Sequence, residues 1–295
     1  MDIRQLETLI AVADTGSFAA AARLVNLTSS AVSQQIQSLE SEMGVQLFDR
    51  SKRPPRLNGK GEDFLRTARN VVQTMTEARV ALSGGRTSGV LKFGAIRTVS
   101  TRFMPQAFAE MRRVYPDLAF NLSVGLSEKL MSDVGAGRLD AALVAEHVGV
   151  PSSLAWHPVI EEPLVLVAPP GTADETETEL MRRLPFIRYE TDVPLARQIT
   201  TELSRLAIAP REVAVANTMP AVVGLVEAGL GFAVVPRIAY LDARSERLVC
   251  RPFGRGQISR RLGLVHRQNS TRSKTLATLR GILSDQGGAL SDDAA

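Results

Sequence analysis

Up to Met43 the chain carries three runs of helical periodicity joined by turns of only a few residues. That spacing constrains the fold more than any other feature, because such short helices must pack on one another. Ile3, Leu6, Leu9, Ile10 and Ala13 recur at helical intervals, and Gly16 ends the first run. Ser17 is placed to cap a second helix carrying Phe18, Ala21, Ala22 and Leu24. After Val25, Asn26 and Leu27, Thr28 or Ser29 can cap a third helix reaching about Met43, where Gly44 stops it. Three short helices with tight turns, the second rich in alanine, suggest a helix-turn-helix core.

The third helix has two faces. Val32, Ile36, Leu39 and Met43 form one that would bury. Ser30, Ser33, Gln34 and Gln37 form the other, with neither acids nor bulky apolar groups. Gln pairs with an adenine edge through two hydrogen bonds, and Ser donates or accepts toward bases or phosphate. The composition suits a recognition helix in a major groove; a plain solvated face would read the same from this helix alone. The next segment favours the first reading. Residues 45–48 read as a strand start, 51–55 as a basic, proline-containing turn, and Arg56-Leu57 as a returning strand. Arg50, Lys52, Arg53, Arg56 and Lys60 crowd this stretch, opposed only by Asp49. A two-stranded wing so charged could grip the phosphate backbone or enter a minor groove, and a basic solubilising loop is the weaker account.

These residues resemble the LysR-type transcriptional regulators. The resemblance is carried by Leu6-Glu7-Thr8-Leu9, Gly16-Ser17-Phe18, Ala21-Ala22-Arg23-Leu24, Ser30-Ala31-Val32-Ser33-Gln34-Gln35-Ile36, Leu39-Glu40, Gly44-Val45-Gln46-Leu47-Phe48-Asp49-Arg50 and Gly61. It is dense and nearly gapless up to Leu65. It implies that Ser29, Ser30, Ser33 and Gln34 lie where the family's recognition helix meets bases and phosphates, with Arg53 on the wing. The full expected DNA-contacting set is Ser17, Thr28, Ser29, Ser30, Ser33, Gln34, Gln37, Arg50, Arg53 and Arg56. The chain departs from the family at Asn58-Gly59-Lys60-Gly61, where a Thr usually precedes the next helix.

From residue 61 to about 83 there is no proline and no internal glycine. Phe64, Ala68, Val71, Met75, Ala78 and Leu82 step by four and three, a heptad seam. The seam must dock within the chain or pair with a second copy. A helix-turn-helix protein needs the second copy to read two half-sites, and the family resemblance implies a dimer, often assembled into a tetramer. The Gly- and Ser-rich run 83–89 then marks a hinge. We therefore expect a DNA-binding domain over 1–60, a linker helix and hinge over 61–88, and an α/β domain over 89–295.

After the hinge, strand and helix patterns alternate. Strands are expected at 90–95, 119–124, 141–144, 164–168, 186–189, 212–215 and 231–235, and helices at 102–114, 127–136, 195–206 and 219–228. Such alternation argues for an α/β fold with largely parallel sheets. The resemblance implies two lobes of the periplasmic-binding-protein type, lobe I about 89–161 with 265–290 and lobe II about 162–264. Their crossovers are expected near 160–163 and 259–264.

In open α/β sheets ligands sit beyond the carboxyl ends of strands, where helix starts point. Arg97-Thr98-Val99-Ser100-Thr101, Gly125-Leu126-Ser127 and Asn217-Thr218 occupy such junctions. Their hydroxyls are either ordinary helix caps or partners for a small anion or carboxylate. Arg97, Thr98, Ser100, Thr101, Ser127, Asn217 and Thr218 are the effector-binding candidates. Asp140, Gly229, Gly231 and Pro236 read as structural.

The 295 residues are 44% apolar and 22% charged, with a net charge of +4 and a pI near 9.6. That suits a soluble protein leaning toward an anionic partner. Cys250 is the sole cysteine, so no internal disulfide forms, and the three histidines show no zinc spacing. No signal peptide, membrane span, Walker loop, dinucleotide fingerprint or catalytic triad is legible. Glu161-Glu162 reads as solvated charge. The expectation is a cytoplasmic, non-enzymatic regulator without cofactor or metal. It binds an inverted repeat in double-stranded DNA, answers to a small-molecule effector and assembles with itself, with RNA polymerase a further candidate contact. A solute-binding receptor or an enzyme built on the α/β domain is the alternative.

Overall fold

Side-chain caps lay out the head of the molecule in the computed structural model, which describes residues 1–52, 54–82, 89–146, 149–190, 193–243, 247–254 and 258–292. Asp2 Oδ1 accepts from the Gln5 N–H at 2.9 Å and Gln5 Oε1 accepts from the Asp2 N–H at 2.8 Å. This capping box starts α1 (Ile3–Thr15), and Gly16, left-handed at φ 63°, ends it. Ser17 caps α2 (Phe18–Leu24), Thr28 caps α3 (Ser29–Met43), and Gly44 at φ 64° stops α3. β1 (Phe48–Asp49) and β2 (Arg56–Leu57) pair antiparallel, Phe48 opposite Leu57. Asn58 supplies the missing family cap: its Oδ1 accepts from the Gly61 N–H at 2.9 Å as α4 (Gly59–Leu82) begins. Leu6, Leu9, Val32, Ile36, Leu39 and Leu47 are buried at the centre. Each contributes about 1.5–3 kcal/mol relative to exposure. Arg53 and the 83–88 hinge expected from the sequence lie outside the described residues.

α4 divides its duties. Leu65 and Ala68 bury against the head, and Arg69 pairs with Asp14 of α1. Val71 and Met75, further along the expected seam, are exposed.

The α/β part runs β3 (Gly89–Ile96), α5 (Arg97–Ser100), α6 (Phe103–Val114), β4 (Leu118–Gly125), α7 (Ser127–Gly135), β5 (Ala141–Ala145) and the long β6 (Leu154–Ala168). There follow α8 (Glu177–Arg183), β7 (Phe186–Tyr189), α9 (Pro194–Arg205), β8 (Glu212–Ala216), α10 (Met219–Glu227), β9 (Ala233–Pro236), α11 (Arg237–Asp242), β10 (Val249–Pro252), β11 (Ser259–Arg267) and α12 (Ser273–Asp292). The order β10-β6-β11-β5-β3-β4 forms the main sheet, with β9 also on β6; β7 and β8 pair separately. β3 is parallel to β4 and β5, and β7 to β8, as alternation predicts. β6 and β11, however, are antiparallel to each other and to their other neighbours. The sheet is therefore mixed, because a chain that leaves one lobe and returns beside its exit must reverse direction. Two apolar cores result, one centred on Phe93, Met104 and Leu143, the other on Val167, Phe232 and Phe253. No described helix is long and apolar enough to cross a membrane.

His157 of β6 and His266 of β11 stack with ring centroids 5.1 Å apart and Nε2 atoms 3.1 Å apart. Arg280 Nη1 donates to His157 Nδ1 at 3.3 Å, and His266 Nδ1 donates to the Arg267 carbonyl at 2.7 Å. In this relay, with Arg280 donating to Nδ1, the His157 proton sits on Nε2 and is donated to His266 Nε2. Burial first, then His266, then Arg280 hold the His157 pKa below its ordinary 6.5. The unfolded chain therefore takes up this proton first, and the contribution to stability is lost as pH falls through about 6.5 and below. Thermal unfolding should drop in midpoint between pH 7.5 and pH 5.5, and His157→Phe should flatten that drop. An identical pH profile in the variant would contradict the relay.

Candidate functional site

The polar side of α3 splits into two sets. Thr8 Oγ1 donates to Gln35 Oε1, and Gln5 Nε2 donates to Ser38 Oγ at 3.2 Å, tying those two α3 residues to α1. Ser29, Ser30, Gln34 and Gln37 are exposed, and Ser33 is half-buried, on the outward side. Ser17 and Thr28 act as caps, accepting from the Ala20 N–H at 3.3 Å and the Ala31 N–H at 3.2 Å. Thr28 also touches Ser30 Oγ at 3.0 Å. Ser29, Ser33 and Arg50 meet Phe18, Phe48 and Pro55 around a hollow of about 300 Å³ between α3 and the wing. Arg56 is exposed on β2.

Sequence reasoning missed the residue that fixes the wing. Glu40 is 7% exposed. It accepts from the Leu47 N–H at 2.8 Å, the Phe48 N–H at 3.1 Å and Arg50 Nη2 at 2.7 Å. Arg50, expected to touch DNA, thus has one edge held by Glu40. The spacing held the signal: Glu40 falls four and eight residues after Ile36 and Val32, on the buried face.

The second site lies between the lobes. Two adjoining chambers share Arg97, Thr98 and Tyr189. The first, about 360 Å³, is lined by the starts of α7 (Leu126, Ser127, Glu128) and α9 (Val193, Pro194, Leu195), with Arg97, Arg197 and Arg260 around them. Three of its charged groups are cationic against Glu128 alone. Arg260 is a fixed cation. Its side chain is 8% exposed and binds Glu162 Oε2, from Nε at 2.8 Å and Nη2 at 2.6 Å, while Nη2 also donates to Thr98 Oγ1 at 2.8 Å. Glu162 is fully buried, and its Oε1 accepts from the Ile238 N–H at 2.9 Å. This overturns the reading of Glu161-Glu162 as solvated charge: along β6, alternate residues face opposite ways, so Glu161 is exposed and Glu162 is not.

Of the candidates, Arg97, Thr98 and Ser127 line the first chamber, and Thr101 and Thr218 the second. Ser100 lines neither; its Oγ donates to the Arg97 carbonyl at 2.9 Å. Asn217 lines neither and is exposed. The cap reading of these hydroxyls does not hold: α7 and α10 begin at Leu126 and Thr218 without any side-chain cap, and Ser127 Oγ accepts from the Ala145 N–H at 3.2 Å. Tyr189, Arg197 and Arg260 were missed. They come from distant segments, and no local pattern marks them. Among the described residues, no group of three or more His, Cys, Asp or Glu is placed to hold a metal ion.

Residues 3–62 match the family described as "Bacterial regulatory helix-turn-helix protein, lysR family", and residues 84–288 match "LysR substrate binding domain". A "Probable RuBisCO transcriptional regulator" of Trichormus variabilis is 31% identical over 282 residues, covering 92% of this chain and 84% of that protein. The "HTH-type transcriptional regulator YofA" of Bacillus velezensis is 30% identical over 240 residues, 81% of this chain and 82% of its own. In fold, the chain is similar to a full-length OxyR variant from Pseudomonas aeruginosa, with a TM-score of 0.76 at 22% identity over 96% of this chain and 98% of that one. It is also similar to full-length CbnR in complex with its target DNA, with a TM-score of 0.62 at 20% identity over 97% and 99% of the two chains.

Proposed function

The chain belongs to the LysR family of DNA-binding transcriptional regulators with an effector-binding domain, and on that premise we propose that its effector is a small carboxylate bound in the first chamber. One observation carries this. α7 and α9 open onto that chamber from different lobes, and neither start has a side-chain cap. α1, α2, α3 and α8 are capped by Asp2, Ser17, Thr28 and Thr176; α6 and α11 are uncapped too, so it is the convergence of two open starts on one arginine-lined chamber that counts. Open helix starts and the guanidinium groups of Arg97 and Arg197 favour an anion, with Arg260 beside them already paired to Glu162, and one anion held by both helices draws the lobes together. The outward Ser29, Ser30, Ser33, Gln34 and Gln37 read base edges and phosphates, and Arg53 and Arg56 grip the backbone. Exposed Val71 and Met75 on α4 give a second copy its seam, so that two heads meet an inverted repeat.

A mobility shift on the DNA upstream of its own gene tests the scheme, with and without carboxylate. Effector and DNA affinities are coupled reciprocally by about 1–3 kcal/mol, so operator affinity or bending must change at saturation. Gln34→Ala should lose about 1–3 kcal/mol of discrimination between operator and random sequence while leaving random-sequence affinity unchanged. Equal losses on both DNAs would remove Gln34 from base reading.

A further inference from the structure

The anion reading leaves the second chamber unused. About 270 Å³ in volume, it is walled by Met219, Pro220, Val223 and Ala239, and α10 runs along it. Pro220, Gly224 and Glu227 are exposed, stand four and three residues apart, and so share the α10 face that looks into the chamber. Gly224 is the odd member of that face. Glycine is among the poorest helix formers, yet this one has ordinary helical backbone and a Cβ built there meets nothing within 4 Å. At Gly61 and Gly231 a Cβ would overlap the carbonyl oxygens of Leu47 and Pro185, while Gly135 and Gly281 sit in helices with the same open surroundings but line neither chamber. Neither conformation nor close packing calls for glycine at 224. What its missing side chain leaves is room in the chamber.

The chambers also differ in charge. The first is lined by Arg97, Arg197 and Arg260; of these the second shares only Arg97, and Met219, Pro220, Val223 and Ala239 make up much of its wall. A ligand reaching from one to the other meets cations at its first end. At its second it meets apolar walls. A second carboxylate there would leave water for the apolar walls of Met219, Pro220, Val223 and Ala239.

Resting on the carboxylate reading of the first chamber, we infer that the effector is an amphipathic monocarboxylate whose head lies among Arg97, Arg197 and Arg260 and whose apolar tail fills the space Gly224 leaves open. Burial of the tail adds to affinity in proportion to the apolar area removed from water, so Gly224 sets how long or broad that tail is.

Titration calorimetry on the full chain tests this with acetate, octanoate, octanamide and octanedioate as probes. Octanoate should bind at least tenfold tighter than each of the other three. Gly224→Leu, whose side chain enters open space, should weaken octanoate at least tenfold and leave acetate unchanged. Affinity independent of tail length, octanedioate equal to octanoate, or octanoate indifferent to Gly224→Leu would each overturn the tail chamber while leaving the carboxylate reading in place. Failure of every carboxylate, acetate included, would overturn both. The comparison among probes on the wild-type chain decides the matter even if the variant misfolds.

Discussion

Glu162→Ala should destabilise the α/β part by about 3–5 kcal/mol, the cost of breaking a buried ion pair from one side. Glu162 has no exposed surface, and its carboxylate serves both Arg260 and the first turn of α11. Truncation leaves a guanidinium that is 8% exposed without its counter-charge and strips the Ile238 N–H of its acceptor. Urea unfolding followed by the fluorescence of Trp156, the single tryptophan, checks this. Trp156 lies on β6 against Gly263 of β11, near the affected strands. The double variant Glu162→Leu with Arg260→Met should recover much of the loss, because neither desolvated charge then remains. A single-variant loss under about 1 kcal/mol, the range of an exposed pair, would mean the pair is not buried in solution.

The second large effect belongs to the head. Glu40→Ala should cost about 3 kcal/mol of head stability, since it orphans two buried N–H groups and releases Arg50. Operator affinity should fall at least tenfold at temperatures where the head is still folded, because the wing is no longer held against α3. Arg50→Ala separates the roles. If Arg50 mainly positions the wing, the salt dependence of binding keeps its slope; loss of a phosphate contact lowers that slope by about one unit. Wild-type stability and affinity in Glu40→Ala would refute the anchoring role.

Local chemistry explains which parts of this architecture were legible in advance. α3 follows from the Thr28 cap, the Val32/Ile36/Leu39 stripe and Gly44, all within one short stretch. The alternating segments of the α/β part follow likewise from periodicity and turn residues. Glu162 was misread because residues 160–163 were expected to be a crossover, where charge is solvated; β6 runs unbroken through them, and period two then decides which side chain is buried. Arg260 was invisible for a different reason: its partners lie far away in sequence, Glu162 reaching it through the β6–β11 pairing and Thr98 from α5. Ser100 and Asn217 line neither chamber: Ser100 ends α5 and turns its hydroxyl back to the Arg97 carbonyl, and Asn217 precedes the Thr218 start of α10 on the exposed side.

The chain enters the second lobe at Leu164 and leaves it at Ile258, and the Leu164 N–H donates to the Ile258 carbonyl at 2.9 Å. Every residue of that lobe's apolar core falls between these two ends. The segment is thus an insertion closed at its neck, with α11 inside it also docked on the first lobe through Ile238, so a homologous replacement must keep that contact as well as the two neighbouring junctions. Such a graft would carry α9, α10 and half of the cleft with it while leaving the reading head untouched. A new ligand preference could therefore arise by recombination at two points, without any renegotiation of the DNA sequence recognised.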